Sequence, residues 1–389
     1  MDIQVFEPAV SPYFAGNPIV VRATTDKTLD VGESFLRIVC SASYRVAEHT
    51  YIPELEVEYS QPIANKGEAT FNLADGAQSM VNRVQAEIDM NLVLPSGSNT
   101  ADPKYQRLWY HPVNVVCTYS CKVVWIEDNV EVSLSGYESG KYSMNIVPGR
   151  FTDFELLTKD TIGLSALVDK KPMTRKPDLG MVYKGETVIL PMVSTQSRQP
   201  SITATIGSKT INGGSHYLSS YALDYSYMTI SEDADGDITV SSSYVGSLSG
   251  YYRTNTQGVH FLRFINGFGA VENIAVRSKD KLSYEVSGDT HSLVQGIETR
   301  STDRRYATKT QPVGVYELSS GYVPQKWAEW FVQELLTSPR VWIQLGGKWV
   351  PALIEAEDDC VIYDRTKPEM PHVDFTLRLA IDGVCGITW

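Results

Sequence analysis

Cysteine is scarce in this chain: five in 389 residues, at positions 40, 117, 121, 360 and 385. An odd, sparse set excludes a disulfide framework as the organising device of the fold. Positive charge is also short, with 34 Lys and Arg against 46 Asp and Glu, a formal net charge of −12 and no basic run. Such a chain has no electrostatic footprint for a phosphate backbone, so nucleic-acid recognition is not expected. No stretch of 18 or more apolar residues occurs, which excludes a membrane-spanning helix. The opening MDIQVFEPAVSPYF has neither a basic nor an apolar leader segment. It predicts no secretory signal, and synthesis and retention in the cytosol. HExxH, GxSxG, GxGxxG and P-loop patterns are missing, as is any fixed-period repeat. Neither a cofactor nor a metal is therefore expected, and no catalytic residue is nominated.

What the chain has is alternation. NPIVVRATT, ESFLRIVCSASYRV, ELEVEYS and EATFNL alternate apolar and polar residues between Gly, Pro, Asn and Asp breaks, the pattern of half-buried strands. VNVVCTYSCKVVWIEDNVEVSLSGY reads as a hairpin turning at Asp128–Asn129. HFLRFINGFGAVENIAV reads as a second, turning at Asn266–Gly267. Cys117 and Cys121 share one strand and lie about 13 Å apart at ~3.3 Å per residue. That is too far for a disulfide, so all five cysteines are expected to be reduced. With His111 alone nearby, a zinc site is not indicated. SEDADGDITV places Asp233, Asp235 and Asp237 at the opening spacing of a calcium loop. Tyr244 stands where the closing Glu belongs, so the segment is read as a hairpin turn at Asp235–Gly236. The acidic run Glu355, Glu357, Asp358, Asp359 is read as a solvated loop. His49, His111, His216, His260, His291 and His372 form no paired motif.

Texture divides the chain into an N-terminal β-domain (1–165), a Ser/Thr/Tyr-rich small β-sandwich (166–256) and a C-terminal β-domain (257–389). LVDKKPMTRKPDLG reads as a linker into the middle part. That part is expected to be peripheral, so that deleting about 170–256 leaves a soluble remainder. The fold class is mainly β, with two or three sandwich- or barrel-like domains. One substantial helix is predicted at 324–337, started by Pro324 and stopped by Pro339. AQSMVNRVQAEI, with Met80, Val84 and Ile88 at helical spacing, suggests a second, short helix. Around the first helix the apolar residues span roughly 240°, wider than the stripe somewhat over 100° of a one-sided surface helix. The excess predicts burial on two sides. Trp330 and Leu336, at the edges of that arc, are the candidate residues for a subunit interface, with a two-layered intramolecular position as the alternative.

Three segments taken together carry a resemblance: SPYFAGNPIVV (11–21), HFLRFINGFGAVENIAV (260–276) and LLTSPRVWIQLGGKWVPALIEAEDDCVIYD (335–364). The combination resembles tail-associated structural proteins of phages and prophages of Bacteroidetes, over about a third of the chain. The resemblance implies a non-catalytic virion building block, of a tail, baseplate or adaptor, made in the host cytoplasm. It implies assembly in homo-oligomeric rings together with other tail proteins. A different class, a bacterial surface adhesin or glycan-binding multi-β-domain protein, is suggested by Trp342 and Trp349 on strands and by the hydroxyl-rich middle part. A glycoside hydrolase would rest only on abundant carboxylates.

Overall fold

The computed structural model describes residues 3–6, 12–95, 102–152, 155, 167–215, 217–244, 246–292, 305–356 and 370–380. The chain is mainly β. Strands β1 (Ile3–Phe6), β2 (Tyr13–Phe14), β3 (Val20–Thr25), β4 (Glu33–Val46), β5 (Leu55–Pro62) and β6 (Glu68–Asn72) precede helix α1 (Ala74–Glu87). Strands β7 (Val115–Glu127), β8 (Val130–Val132) and β9 (Tyr142–Val147) follow it. They form two sheets, ordered β1-β3-β6 and β2-β9-β7-β4-β5, with β8 paired to β7. Alternation decides which face is buried: Ile38, Cys40, Ala42 and Tyr44 of β4 point into one core with Val115, Cys117, Tyr119, Cys121 and Val123 of β7. The β7–β8 turn falls at Asp128–Asn129, both at positive φ, as a tight twist-matched hairpin turn requires.

Helix α1 closes this core with Ala77, Met80, Val81 and Val84. It is the longest helix among the described residues, where the sequence suggested a short one. Its close approach needs Gly76, because a Cβ there would lie 2.3 Å from the Tyr44 ring.

The middle part contains β10 (Gly180–Tyr183), β11 (Thr187–Val193), β12 (Ser201–Ile206), β13 (Lys209–Ser215), β14 (Leu223–Thr229), β15 (Gly236–Ser242) and β16 (Gly246–Arg253). A five-stranded sheet, β10-β16-β15-β12-β13, covers the β11–β14 pair. Strand β11 is buried on both faces. Val188, Leu190 and Met192 enter the core of the middle part. Ile189 and Val193 point the other way, into a core shared with Phe14 and Phe151 of the N-terminal part and with Ile265, Phe268 and Trp342 of the C-terminal part. The middle part is thus a wall of a three-way core. Deletion of 170–256 is now expected to leave these aromatics uncovered, at roughly 1.5–3 kcal/mol for each large side chain that loses burial. The shortened chain should partition into the insoluble fraction on expression. A soluble product with an unchanged melt would restore the peripheral reading.

The C-terminal part is a closed antiparallel barrel ordered β17-β18-β19-β22-β21-β20. Its strands are β17 (Val259–Ile265), β18 (Val271–Ser292), β19 (Arg305–Tyr322), β20 (Val341–Leu345), β21 (Lys348–Ala356) and β22 (His372–Leu379). Strands β18 and β19 outrun the rest. β17 pairs with β18 only as far as Arg277, and β22 pairs with β19 only from Val315 onward. From Tyr284↔Gly314 to Ser292↔Arg305 the two strands pair with each other and with no third described strand. At ~3.4 Å per residue this ribbon extends about 30 Å from the barrel.

The predicted C-terminal helix is present but short. Helix α2 (Gln325–Trp330) gives way to a π-helical turn, Phe331–Leu335, closed by Leu336 N–H donating to Phe331 O at 3.0 Å. Trp327, Ala328, Trp330, Phe331 and Leu335 cap the barrel core. The second layer demanded by the wide apolar arc comes from the chain itself. Trp327 packs on the backbone of Gly180, where a Cβ would lie 2.7 Å from the indole, and donates from Nε1 to Asp178 Oδ1 at 2.9 Å.

Candidate functional site

The most elaborate polar chemistry lies where the three parts meet. It is built largely by the Lys/Pro-rich segment read from sequence as a linker. That segment is embedded instead, with Val168 and Met173 in the shared core. Arg175 points its guanidinium at two carboxylates. Nε and Nη2 donate to Glu155 at 2.9 and 2.8 Å, and Nη1 donates to Glu334 Oε1 at 2.5 Å. Nη2 also donates to Arg150 O, and the guanidinium plane lies 4.0 Å from the centre of the Phe268 ring. Burial alone would raise the Glu155 carboxyl, but the hydrogen bonds from Arg175 hold it below its ordinary value. Burial likewise opposes the charge on Arg175, which its two carboxylates outweigh.

Glu334, 3% exposed, leaves the π-helical turn to accept from Gly267 N–H at 2.5 Å as well. Gly267 sits in the turn between β17 and β18. There Asn266 Oδ1 accepts from the N–H groups of Phe268 and Ala270, both at 2.9 Å. The predicted Asn266–Gly267 turn is therefore real, and it serves as the hinge pin of the junction. A side chain at Gly267 would collide with Arg175, since a Cβ would stand 2.3 Å from Nη1.

One layer further in, a cavity of about 20 Å³ is bordered by Thr174, Lys176, Glu186, Glu272 and Asn273. That is room for a single water. Lys176 Nζ donates to Asn273 O at 3.2 Å and stands over the Trp327 and Trp330 rings. Glu186 accepts from Tyr183 N–H at 3.0 Å. Asn266 Nδ2 donates to Glu272 Oε1, whereas Glu272 Oε2 has no partner among the described residues. Burial pushes Glu186 up to about 7 and Glu272 up to about 6, with Lys176 pulling both back. Asp224 is pushed by burial to about 7, although the Ser219 and Tyr225 N–H groups donate to it.

The pH consequence follows from the signs. A carboxyl whose folded value is raised contributes stability that is full below its unfolded value and is lost as pH rises through the folded value. The loss therefore spans about pH 4.5 to 7. His49 acts oppositely: burial pushes it down to about 3, so its contribution falls as pH drops below about 6.5. Glu272→Gln should raise the melting temperature over the parent most at pH 8, less at pH 5, and hardly at all below about pH 4. Equal shifts at about pH 8 and pH 4 would show that Glu272 ionises as freely in the folded chain as in the unfolded one.

A third cluster surrounds Arg263. It is 3% exposed and lies between the rings of Trp109 and Trp349, at 4.4 and 4.1 Å from their centres. Its Nε donates to Asn273 Oδ1 at 2.8 Å, and no carboxylate pairs with it among the described residues. Burial lowers its pKa to about 9.

The residues nominated from sequence fall as follows. Trp330 is 3% exposed and packs against Phe264, Trp327 and Phe331 inside the barrel core. Leu336 is half-buried on that same core. Trp342 is buried in the shared core, and Arg263 covers the Trp349 ring. Asp233 pairs with Lys184, and Asp235 accepts from Thr254, in a connection that passes from β14 to β15. These strands lie in different sheets, so the hairpin predicted there does not form and the segment crosses between layers instead. Glu355 pairs with Arg378 at 3.1 Å, while Glu357, Asp358, Asp359, Cys360 and Cys385 lie outside the described residues. His49 and His111, far apart in sequence, meet with ring centres 4.7 Å apart, and His49 Nε2 lies 3.0 Å from Pro112 O. Among the described residues no group of three or more His, Cys, Asp or Glu is arranged to hold a metal ion. Nor is any described helix long and apolar enough to cross a membrane. Arg175, Glu334, Glu272 and Arg263 were not singled out from sequence. Charged residues inside apolar strands, as in FLRFI and AVENIAV, were the available signal.

No family model matches the chain, and no curated protein matches it. Among solved structures, trypsin-activated α2-macroglobulin of Escherichia coli aligns with 96% of this chain and 21% of its own, at 9% identity and a TM-score of 0.21. The native form of the E. coli protein aligns at 7% identity, with the same TM-score, over 23% of its length. The chain spans about a fifth of these proteins, and similarity at this level carries no argument about fold or function.

Proposed function

We propose that this chain is a structural building block of a phage or prophage particle, a tail, baseplate or adaptor component. In this reading it assembles with copies of itself and with other tail proteins and catalyses no reaction. The observation that supports this reading is the β18–β19 ribbon. A two-stranded hairpin is marginally stable alone in water, and each of its edges presents unpaired N–H and C=O groups. A ribbon some 30 Å long at ~3.4 Å per residue is an element suited to being covered in an assembly. The buried ionic junction fits the same reading, because it fixes the three parts to one another instead of presenting groups to a substrate. The adhesin alternative drew on Trp342 and Trp349, and those rings are taken up by the shared core and by Arg263.

The test is light scattering and negative-stain microscopy of the full chain over a range of concentrations, beside a variant with 284–313 replaced by a short turn. Rings or higher oligomers of the full chain, with a monomeric variant of unchanged melting temperature, are expected. A full chain that stays monomeric at high concentration, alone and with its neighbouring gene products, would overturn the reading.

A further inference from the structure

We propose that Cys40 and Cys121 form a site for a cross-strand disulfide, closed by a peroxide when the chain leaves a reducing compartment. The two residues are direct register partners on the neighbouring antiparallel strands β4 and β7. Such partners have Cα atoms about 4.5–5.5 Å apart, inside the range of about 4.4–6.8 Å that a disulfide spans. Both side chains point into the same core, and their thiols are within hydrogen-bonding reach of each other. Both cysteines are at most 1% exposed, so the peroxide reaches their thiols through local opening of the core. All three described cysteines are free thiols in this structure.

Cys117 is excluded from the bond. It lies about 13 Å along β7 from Cys121, at ~3.3 Å per residue. Its register partner across the ladder is Tyr44, whose hydroxyl donates to Leu73 O. The pair is also chemically polarised. The hydrogen bond from Cys121 holds the Cys40 thiol below its ordinary value, while the same contact and burial push Cys121 up. Cys40 is taken as the attacking thiol.

In the first step the Cys40 thiolate attacks one oxygen of the peroxide. The O–O bond breaks, Cys40 becomes a sulfenic acid, and the departing hydroxide takes a proton to leave as water. Cys121 sulfur then attacks the Cys40 sulfur, the S–O bond breaks, and the second hydroxide leaves with the Cys121 proton as water. Two thiols lose two electrons in all, and one peroxide gains them. The bond links the two longest strands of the N-terminal part. It would harden a chain made in a reducing cytosol once it meets oxidising surroundings.

The test uses the folded full chain, incubated with hydrogen peroxide, then denatured, alkylated and digested without reductant. A peptide linking Cys40 to Cys121 is expected, with a raised melting temperature that reductant reverses. Cys117→Ser should leave the link intact and Cys121→Ser should abolish it. The mapping on the parent chain stands even where Cys121→Ser fails to fold. Recovery of Cys40 and Cys121 as alkylated thiols or as unlinked sulfinic acids, or a link through Cys117, would overturn the proposal.

Discussion

Replacing Arg175 by alanine is expected to destabilise the chain by about 3–5 kcal/mol, the range for removing one partner of a buried ion pair. The reason is what remains behind. Glu334 is almost fully buried, and without the guanidinium its carboxylate retains one described donor, the Gly267 N–H. Glu155 loses both bonds of its fork. Phe268 loses the cation stacked on it. Glu334→Gln should cost less, because the amide oxygen still accepts from Gly267. With the carboxylate already neutral, Arg175→Ala in the Gln background should cost measurably less than in the parent. Urea midpoints of the two single variants and the double variant close the cycle. Additive losses would mean that Arg175 and Glu334 do not act as a pair.

Phe331→Ala should cost a similar ~3–5 kcal/mol through lost transfer energy and the cavity left at the barrel end. The sharper result concerns Trp330. Its sequence position at the edge of the apolar arc predicts that Trp330→Glu folds normally and weakens association. Its place between Phe264 and Trp327 predicts instead a carboxylate set into a dry aromatic core, at a penalty of several kcal/mol unless it protonates. Trp330→Glu is therefore expected to unfold at least as readily as Phe331→Ala. Leu336→Glu, at a half-buried site, should keep its cooperative melt with a lowered midpoint. Thermal melts with light scattering separate the cases. A folded Trp330→Glu chain with impaired oligomerisation would return the interface role to this residue.

Local patterns in the sequence carried the local structure. Period-two alternation located the strands, because one buried face forces apolar residues to every second position. Asp128–Asn129 located a hairpin turn because few residues tolerate its positive-φ backbone. Asn266–Gly267 located another because the Asn266 side chain accepts from the turn's own N–H groups, with the positive φ falling at Gly269. Partnership between strands was not legible. Cys40 and Cys121 are 81 positions apart, and nothing in either segment announces that their strands run side by side in that register. The helix at 324–337 was placed correctly and its length misjudged: it ends in a π turn, from which Glu334 reaches Arg175, a residue distant in sequence. The Lys/Pro-rich segment shows the same limit. Its composition is that of an exposed connector, and only tertiary partners, the Glu155 and Glu334 carboxylates for Arg175 and the Asn273 carbonyl for Lys176, make these two half-buried cations.

The β18–β19 ribbon has a mechanical consequence. The same two strands are staves of the closed barrel and rails of the projecting arm, each continuous from Val271 to Ser292 and from Arg305 to Tyr322, with register shifts in their ladder at 278–282 and 287–289. A pull along the arm tensions both strands alike and loads in shear the ladders that join them to β17 and β22, so that many transverse hydrogen bonds resist together. The arm therefore hands force to its two neighbouring staves, β17 and β22, through many bonds at once.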